Sequence, residues 1–202
     1  MSVRVPTLAA VIVLSALPGL TRPSDVAAQG TAAIQEGDSA IQALRERANK
    51  GDPDAQYGLA VAYDTGQGLP RDYAQAVAWY RKAADQGDAR AQYNLAAMYA
   101  EGQGVLQDLA QAVVWYTKAA DQGDVQAQFN LALLYNNGQG ALKDLAEAHK
   151  WLDLAASRAS GDDRAMYARA RDTLAERMSP AQIADAAQRA RVWQQAFDRK
   201  KP

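Results

Sequence analysis

Residues 87–122 read GDARAQYNLAAMYAEGQGVLQDLAQAVVWYTKAADQ, and two features of this stretch decide the fold. Apolar and small residues recur at spacings of three and four on either side of a Gly-Gln-Gly triplet, the period of an α-helix rather than a strand. The same pattern also continues without a gap in both directions. Residues 51–86 are GDPDAQYGLAVAYDTGQGLPRDYAQAVAWYRKAADQ, and residues 123–158 are GDVQAQFNLALLYNNGQGALKDLAEAHKWLDLAASR. The first and second blocks agree at 23 of 36 positions, the second and third at 19. Ala-rich helices that resemble one another by chance would not keep Gly, Trp and Asp in register. A fixed period of this length marks a stack of repeated units.

Each block reads as helix–turn–helix. Asp52, Asp88 and Asp124 stand where an N-cap of the first helix is needed, and Pro53 suits the first helical position. Gly66, Gly102 and Gly138 end that helix, where a left-handed residue is required. Asp72, Asp108 and Asp144 then cap the second helix, which runs to Gly87, Gly123 and, less regularly, Gly161. Helical phase puts Ala55, Leu59, Ala62 and Tyr63 on one face of the first helix. Tyr73, Ala76, Trp79, Tyr80 and Ala83 share a face of the second. A single hairpin of this kind leaves apolar surface exposed, and stacking covers it. The tryptophans Trp79, Trp115 and Trp151 lie on the packing stripe, which makes them core residues rather than a ligand box.

These residues resemble the Sel1-like repeat family, a relative of tetratricopeptide repeats. Its pattern is roughly A-x-x-x-L-G-x-x-Y-x-x-G-x-G-V followed by D-x-x-x-A-x-x-W-Y-x-K-A-A-x-x-G. Ala55, Leu59, Tyr63, Gly66, Gly68, Asp72, Ala76, Trp79, Tyr80, Lys82 and Gly87 fit it in the first block. Ala91, Leu95, Tyr99, Gly102, Gly104, Val105, Asp108, Trp115, Tyr116 and Lys118 fit it in the second. The third block drifts, with Leu152 and Leu154 replacing an aromatic and a Lys. All three carry Ala (Ala60, Ala96, Ala132) where the family prefers Gly, a change small enough to keep the helix crossing tight. The resemblance implies an all-α fold, an α/α superhelix (solenoid) of about seven to nine helices, with right-handed winding.

The flanks read as a leader and two caps. Residues 1–28 form a signal peptide: a basic Met1–Arg4, an apolar run Leu8–Leu17, a break at Pro18-Gly19, and small residues Val26-Ala27-Ala28 before Gln29. The apolar run is shorter than the roughly 20 residues of a membrane-spanning helix, so no stable span is expected after cleavage. The expected location is outside the cytoplasm, most simply the periplasm, with secretion as the alternative. Residues 29–50 read as an N-terminal capping helix in step with the second helix of a block. Residues 159–202 read as a degenerate repeat and a capping helix. There the pattern restarts at Gly161-Asp162 after a two-residue slip, and a first helix follows over Asp163–Arg177. Ser179, Pro180 and Gln182 then open a last helix through a capping box, with Ile183, Ala186, Ala190, Trp193 and Phe197 as its stripe.

Composition narrows the function. The 202-residue chain carries a formal net charge of −1 and no Cys. This balance does not suggest a nucleic-acid binder, which generally needs a basic face. The lack of Cys removes disulfides, thiolate metal sites and Cys nucleophiles. The single His, His149, has no second His to share a metal with, and no HExxH or DxDxDG loop occurs. The Gly-Gln-Gly triplets follow no strand and precede no Gly-Lys-Ser/Thr, so they read as turns rather than phosphate loops. No catalytic residue, metal or cofactor is expected. Some Sel1-like proteins, a disulfide-rich bacterial group, bind or hydrolyse β-lactams, which makes an envelope hydrolase acting on β-lactam or cell-wall material the alternative. This chain lacks both their cysteines and a Ser-x-x-Lys.

The role left is protein binding. In related superhelices the first helices line the concave side, so the resemblance points to the face opposite their core stripe. Tyr57, Tyr93 and Phe129 make an aromatic ladder there, beside Val61, Ala97 and Leu133. Asp64, Arg90, Asn94, Gln126, Asn130 and Asn136 supply polar neighbours. Aromatic groups beside polar ones are common at interaction hot spots; the same rings could equally pack on the adjacent first helix. The expectation is an exported scaffold or adaptor that holds a protein or peptide partner in its groove and regulates an envelope process.

Overall fold

The computed structural model describes residues 39–200; the expected signal peptide and the first part of the expected N-terminal cap lie outside them. Among the described residues there are nine helices and no strand. Helix α1 covers 39–49. Three hairpins follow: α2 (Pro53–Thr65) with α3 (Tyr73–Asp85), α4 (Ala89–Glu101) with α5 (Leu109–Asp121), and α6 (Val125–Asn137) with α7 (Leu145–Arg158). Helices α8 (Gly161–Ala175) and α9 (Pro180–Arg199) close the stack. From α2 to α8 each helix packs on its chain neighbours, the pattern of a solenoid.

Local chemistry sets the helix ends. Asp52, Asp88 and Asp124 accept the backbone N–H of Ala55, Ala91 and Ala127 at 3.2, 3.0 and 2.7 Å. Asp72, Asp108 and Asp144 do the same for Gln75, Gln111 and Glu147. A second bond closes each hairpin: the N–H groups of Asp72, Asp108 and Asp144 reach back to the carbonyls of Tyr63, Tyr99 and Tyr135. One residue thus caps its helix and fixes the turn.

Small residues bring the helices close. Ala60, Ala96 and Ala132 are fully buried, as are Leu59, Leu95 and Leu131 on the same helices. Trp115 and Trp151 are buried as expected, at 4% and 2% exposure. Trp79 is only half-buried, with its ring under the Lys82 ammonium.

A buried glutamine ladder ties the stack together, and its members had not been singled out in the sequence. Gln56, Gln92 and Gln128 donate to the carbonyls of Ala48, Ala84 and Ala120, each in the preceding helix. Gln86 then donates to Gln56 and to the Gly51 carbonyl, and Gln122 to Gln92 and to the Gly87 carbonyl. These bonds satisfy polar groups that would otherwise destabilise the Ala-rich core by roughly 1–3 kcal/mol each; Gln128 Oε1, buried in the third unit, receives no such donor among the described residues.

The third unit ends differently. Arg158 stands in the place of Gln86 and Gln122, and Ala159 in the place of Gly87 and Gly123. Those glycines hold φ of +94° and +90°, a region costly for Ala. Ala159 instead leaves the helix extended (φ −69°, ψ 165°). Two extended residues then lead into α8, and this corrects the expected slip. Helix α8 starts at Gly161, not Asp163, and the starts 53, 89, 125 and 161 keep the 36-residue spacing. Ser160 takes the place of Asp52, Asp88 and Asp124 but makes no side-chain cap bond. Tyr167 accordingly falls in the position of Leu59, Leu95 and Leu131 and is buried.

The last helix does not extend the stack as a partner of α8. It lies on α7 instead. Its Ser179–Gln182 capping box forms as expected. Trp193 meets Trp151 edge-on at 5.7 Å, stacks on Phe197 at 4.9 Å, and donates its Nε1–H to Asp121 at 2.8 Å. Arg158 lies over both α9 rings and bonds Gln194, while Arg189 bridges to Asp144 and Glu147. Freed from the glutamine ladder, Arg158 clasps the closing helix.

Candidate interaction surface

The first helices α2, α4, α6 and α8 adjoin along one face. Arg90 on α4 pairs with Asp54 on α2 at 2.5 Å, and Phe129 on α6 meets Tyr167 on α8 at 4.6 Å. This face carries the residues that the sequence pointed to.

Each ladder ring is half-buried and supported by a second ring. Tyr57 packs on Tyr80 at 5.9 Å and Tyr93 on Tyr116 at 5.7 Å, both partners lying on second helices. In the third unit Leu152 occupies that partner position, and Phe129 uses Tyr167 of α8. The rings are therefore packed and partly open at once: each rests against a second ring and stays partly exposed at the surface.

The polar neighbours hold this floor in place. Tyr80 donates to Asp64 at 3.1 Å, and Asn94 is half-buried on α4. Asn130 donates to the Tyr116 hydroxyl at 3.3 Å. Burial pushes the Tyr80 and Tyr116 hydroxyls well above the usual phenol range, so both stay neutral donors and acceptors. Arg90 is held by Asp54 and Asp88 and covers the Tyr57 ring at 4.4 Å, an ordered cation rather than a free one. Val61 and Ala97 are half-buried and packed on the core. Leu133 remains 39% exposed, and Gln126 is exposed. Asn136 bonds Asn137 and accepts from Arg177 at 3.4 Å.

The in-register α8 adds residues that the sequence reading left out. Arg169 continues the row Val61, Ala97, Leu133 at the same 36-residue spacing. With Thr173 and Arg177 it walls a cavity of about 280 Å³ against Leu133 and Asn136. The expected slip had displaced α8 by two residues and hidden this row.

His149 is half-buried beside Asp153 and Arg171, and desolvation holds its pKa below the usual histidine value. Among the described residues no group of three or more His, Asp or Glu side chains converges on a metal-sized site. No described helix is long and apolar enough to cross a membrane.

Stacked hairpins with a supported, half-open aromatic row define a helical-repeat scaffold, the class that acts by contacting other proteins. The chain belongs to the Sel1 repeat family: the family model described as Sel1 repeat matches residues 53–88, 89–124 and 125–160, more than half of its length. Such repeats typically mediate protein–protein interaction, and the family is generally of a non-catalytic, scaffold type. A Sel1 repeat protein from Oxalobacter formigenes is similar in structure, with TM-score 0.59 and 32% identity over 66% of this chain and 56% of that one. The c5321 protective antigen of uropathogenic Escherichia coli strains, which displays an SLR fold, is similar with TM-score 0.50 and 28% identity over 79% of this chain and 42% of that one. The chain thus spans about half the length of these relatives. No curated protein matches it significantly.

Proposed function

We propose that the chain is an exported scaffold or adaptor that holds a segment of a partner protein along its first-helix groove and thereby regulates an envelope process. The observation that carries this reading is the partly exposed row Tyr57, Tyr93 and Phe129, each ring packed against a second ring and Tyr57 also lying under the ordered Arg90. Braced aromatics lose little conformational freedom when a partner covers them, which favours their use as anchors. Export is supported by the basic start, short apolar run and small-residue end of residues 1–28; the periplasm is the proposed location.

The test replaces Tyr93 and Phe129 together by Ala and compares partners crosslinked in living cells, with folding checked by circular dichroism. Loss of the captured partner with retained helicity supports the groove. Undiminished capture by the folded double variant would remove the groove from the account. Fractionation of the native protein into periplasm, membrane and medium tests the location separately.

A further inference from the structure

The groove changes character at its α8 end. Along α2 and α4 its polar side chains are already committed: Asp64 to Tyr80, and Arg90 to Asp54 and Asp88. At the junction of α6 and α8 they are not. Arg169 is exposed and makes no hydrogen bond or ion pair among the described residues, and Arg177 makes a single long bond to Asn136. Both border the cavity of about 280 Å³, and Thr173 lies between them on the same wall. Apart from Asn136, the rest of the cavity is apolar, with Leu133, Leu152 and Leu174 the largest groups. No carboxylate lines it.

Two guanidinium groups with no ion-pair partner among the described residues, beside a largely apolar recess, complement a ligand that carries an anion and a hydrocarbon side chain on neighbouring atoms. A guanidinium fork pairs with a carboxylate through two parallel hydrogen bonds. An internal Asp or Glu offers the carboxylate but no apolar group on the same residue. The last residue of a polypeptide ending in Leu, Ile or Phe offers both. The volume also lies just under the range of about 300–1,000 Å³ typical of whole small-molecule sites, which suits a terminal residue. We infer that this recess captures the free C-terminus of a partner ending in a large apolar residue, with Arg169 and Arg177 on the carboxylate, Thr173 as an added donor and the leucines around the side chain. The inference rests on the groove reading above and assigns the end at which the partner segment stops.

The experiment titrates the folded, isotope-labelled protein with three probes: N-acetyl-Ala-Ala-Leu with a free carboxylate, the same peptide as its C-terminal amide, and N-acetyl-Ala-Asp-Leu amide. Backbone amide and arginine Nε resonances are followed. The free acid is expected to shift the signals of Leu133, Thr173, Leu174 and both arginines. The amide should bind at least about tenfold more weakly, as loss of charge-assisted bonds implies. In the R169Q/R177Q variant, substituted at exposed positions, the acid should bind no better than the amide. Equal binding of acid and amide overturns the proposal, as does an Asp-containing amide that matches the free acid. Shifts confined to Tyr93 and Phe129 overturn it while leaving the groove reading in place. A complete absence of shifts overturns it as well, and the Tyr93/Phe129 capture experiment then decides the groove on its own.

Discussion

Gly104 shows how one residue joins two units. Its φ is +73° or close to it in every repeat (Gly68 +73°, Gly104 +70°, Gly140 +74°), but conformation is only half of its role. A Cβ on Gly104 would fall inside the van der Waals envelope of the Tyr73 carbonyl, and one on Gly140 inside that of Leu109. In the second and third units the last glycine of Gly-Gln-Gly therefore lets the turn touch the start of the second helix in the unit before, while Gly68 meets the Ile41 side chain of α1. Gly102 has a similar φ of +73°, but a Cβ there would meet only Gln107 of its own turn, at no less than 3.3 Å. Gly102→Ala should cost about 1–2 kcal/mol for the left-handed backbone alone. Gly104→Ala should exceed it by a further ~1–3 kcal/mol, because backbone must move. Urea denaturation of the two variants checks the order; equal costs would show that the turn does not bear on its neighbour. The sequence showed that both positions are Gly and made them turn residues. It held no sign that the second faces another unit, since that contact joins residues about thirty positions apart.

At the scale of the element, α9 is the departure. Its apolar stripe Ile183, Ala186, Ala190, Trp193 and Phe197 was legible from spacing, and its capping box from Ser179 and Gln182. What it covers was not. The stripe would suit α8 as well as α7, and the choice depends on Arg158, whose ladder position is lost in the third unit and whose guanidinium stacks on Trp193 and Phe197. Trp193→Ala removes the ring over Trp151, the hydrogen bond to Asp121 and the surface under Arg158. A half-buried tryptophan of this kind should cost about 2–3 kcal/mol, toward the low end for large-to-small changes in cores. Trypsin should then cut α9 at Arg189, Arg191 or Arg199 under conditions that leave the native protein intact. Unchanged stability together with unchanged resistance would rule out the clasp. The same element explains why Trp151 is more deeply enclosed than Trp79, although the two hold equivalent repeat positions.

At the scale of the whole molecule, each repeat packs on the repeats beside it, so stability is distributed along the stack. Return of α9 over α7 gives the third unit an additional neighbour, and amide exchange should be slowest in α5, α6 and α7 and faster in α2 and α3. Hydrogen exchange resolved by peptide checks this, and slower exchange in α2 than in α7 would contradict it. The candidate surface follows the same division. Its aromatic row, Tyr57, Tyr93 and Phe129, could be read from helical phase and period. Its brace of Tyr80, Tyr116 and Tyr167 could not, because Phe129 changes partner where Leu152 replaces a tyrosine. The sequence by itself determined the repeat, its helix caps, its turns and its family, since these depend on residues close in the chain and on a period visible three times over. Only the tertiary structure decided the register of α8, the seat of α9, the glutamine ladder and the arginine-walled recess. Those depend on which of several chemically suitable surfaces lie within reach once the hairpins have stacked, and short-range patterns do not carry that information.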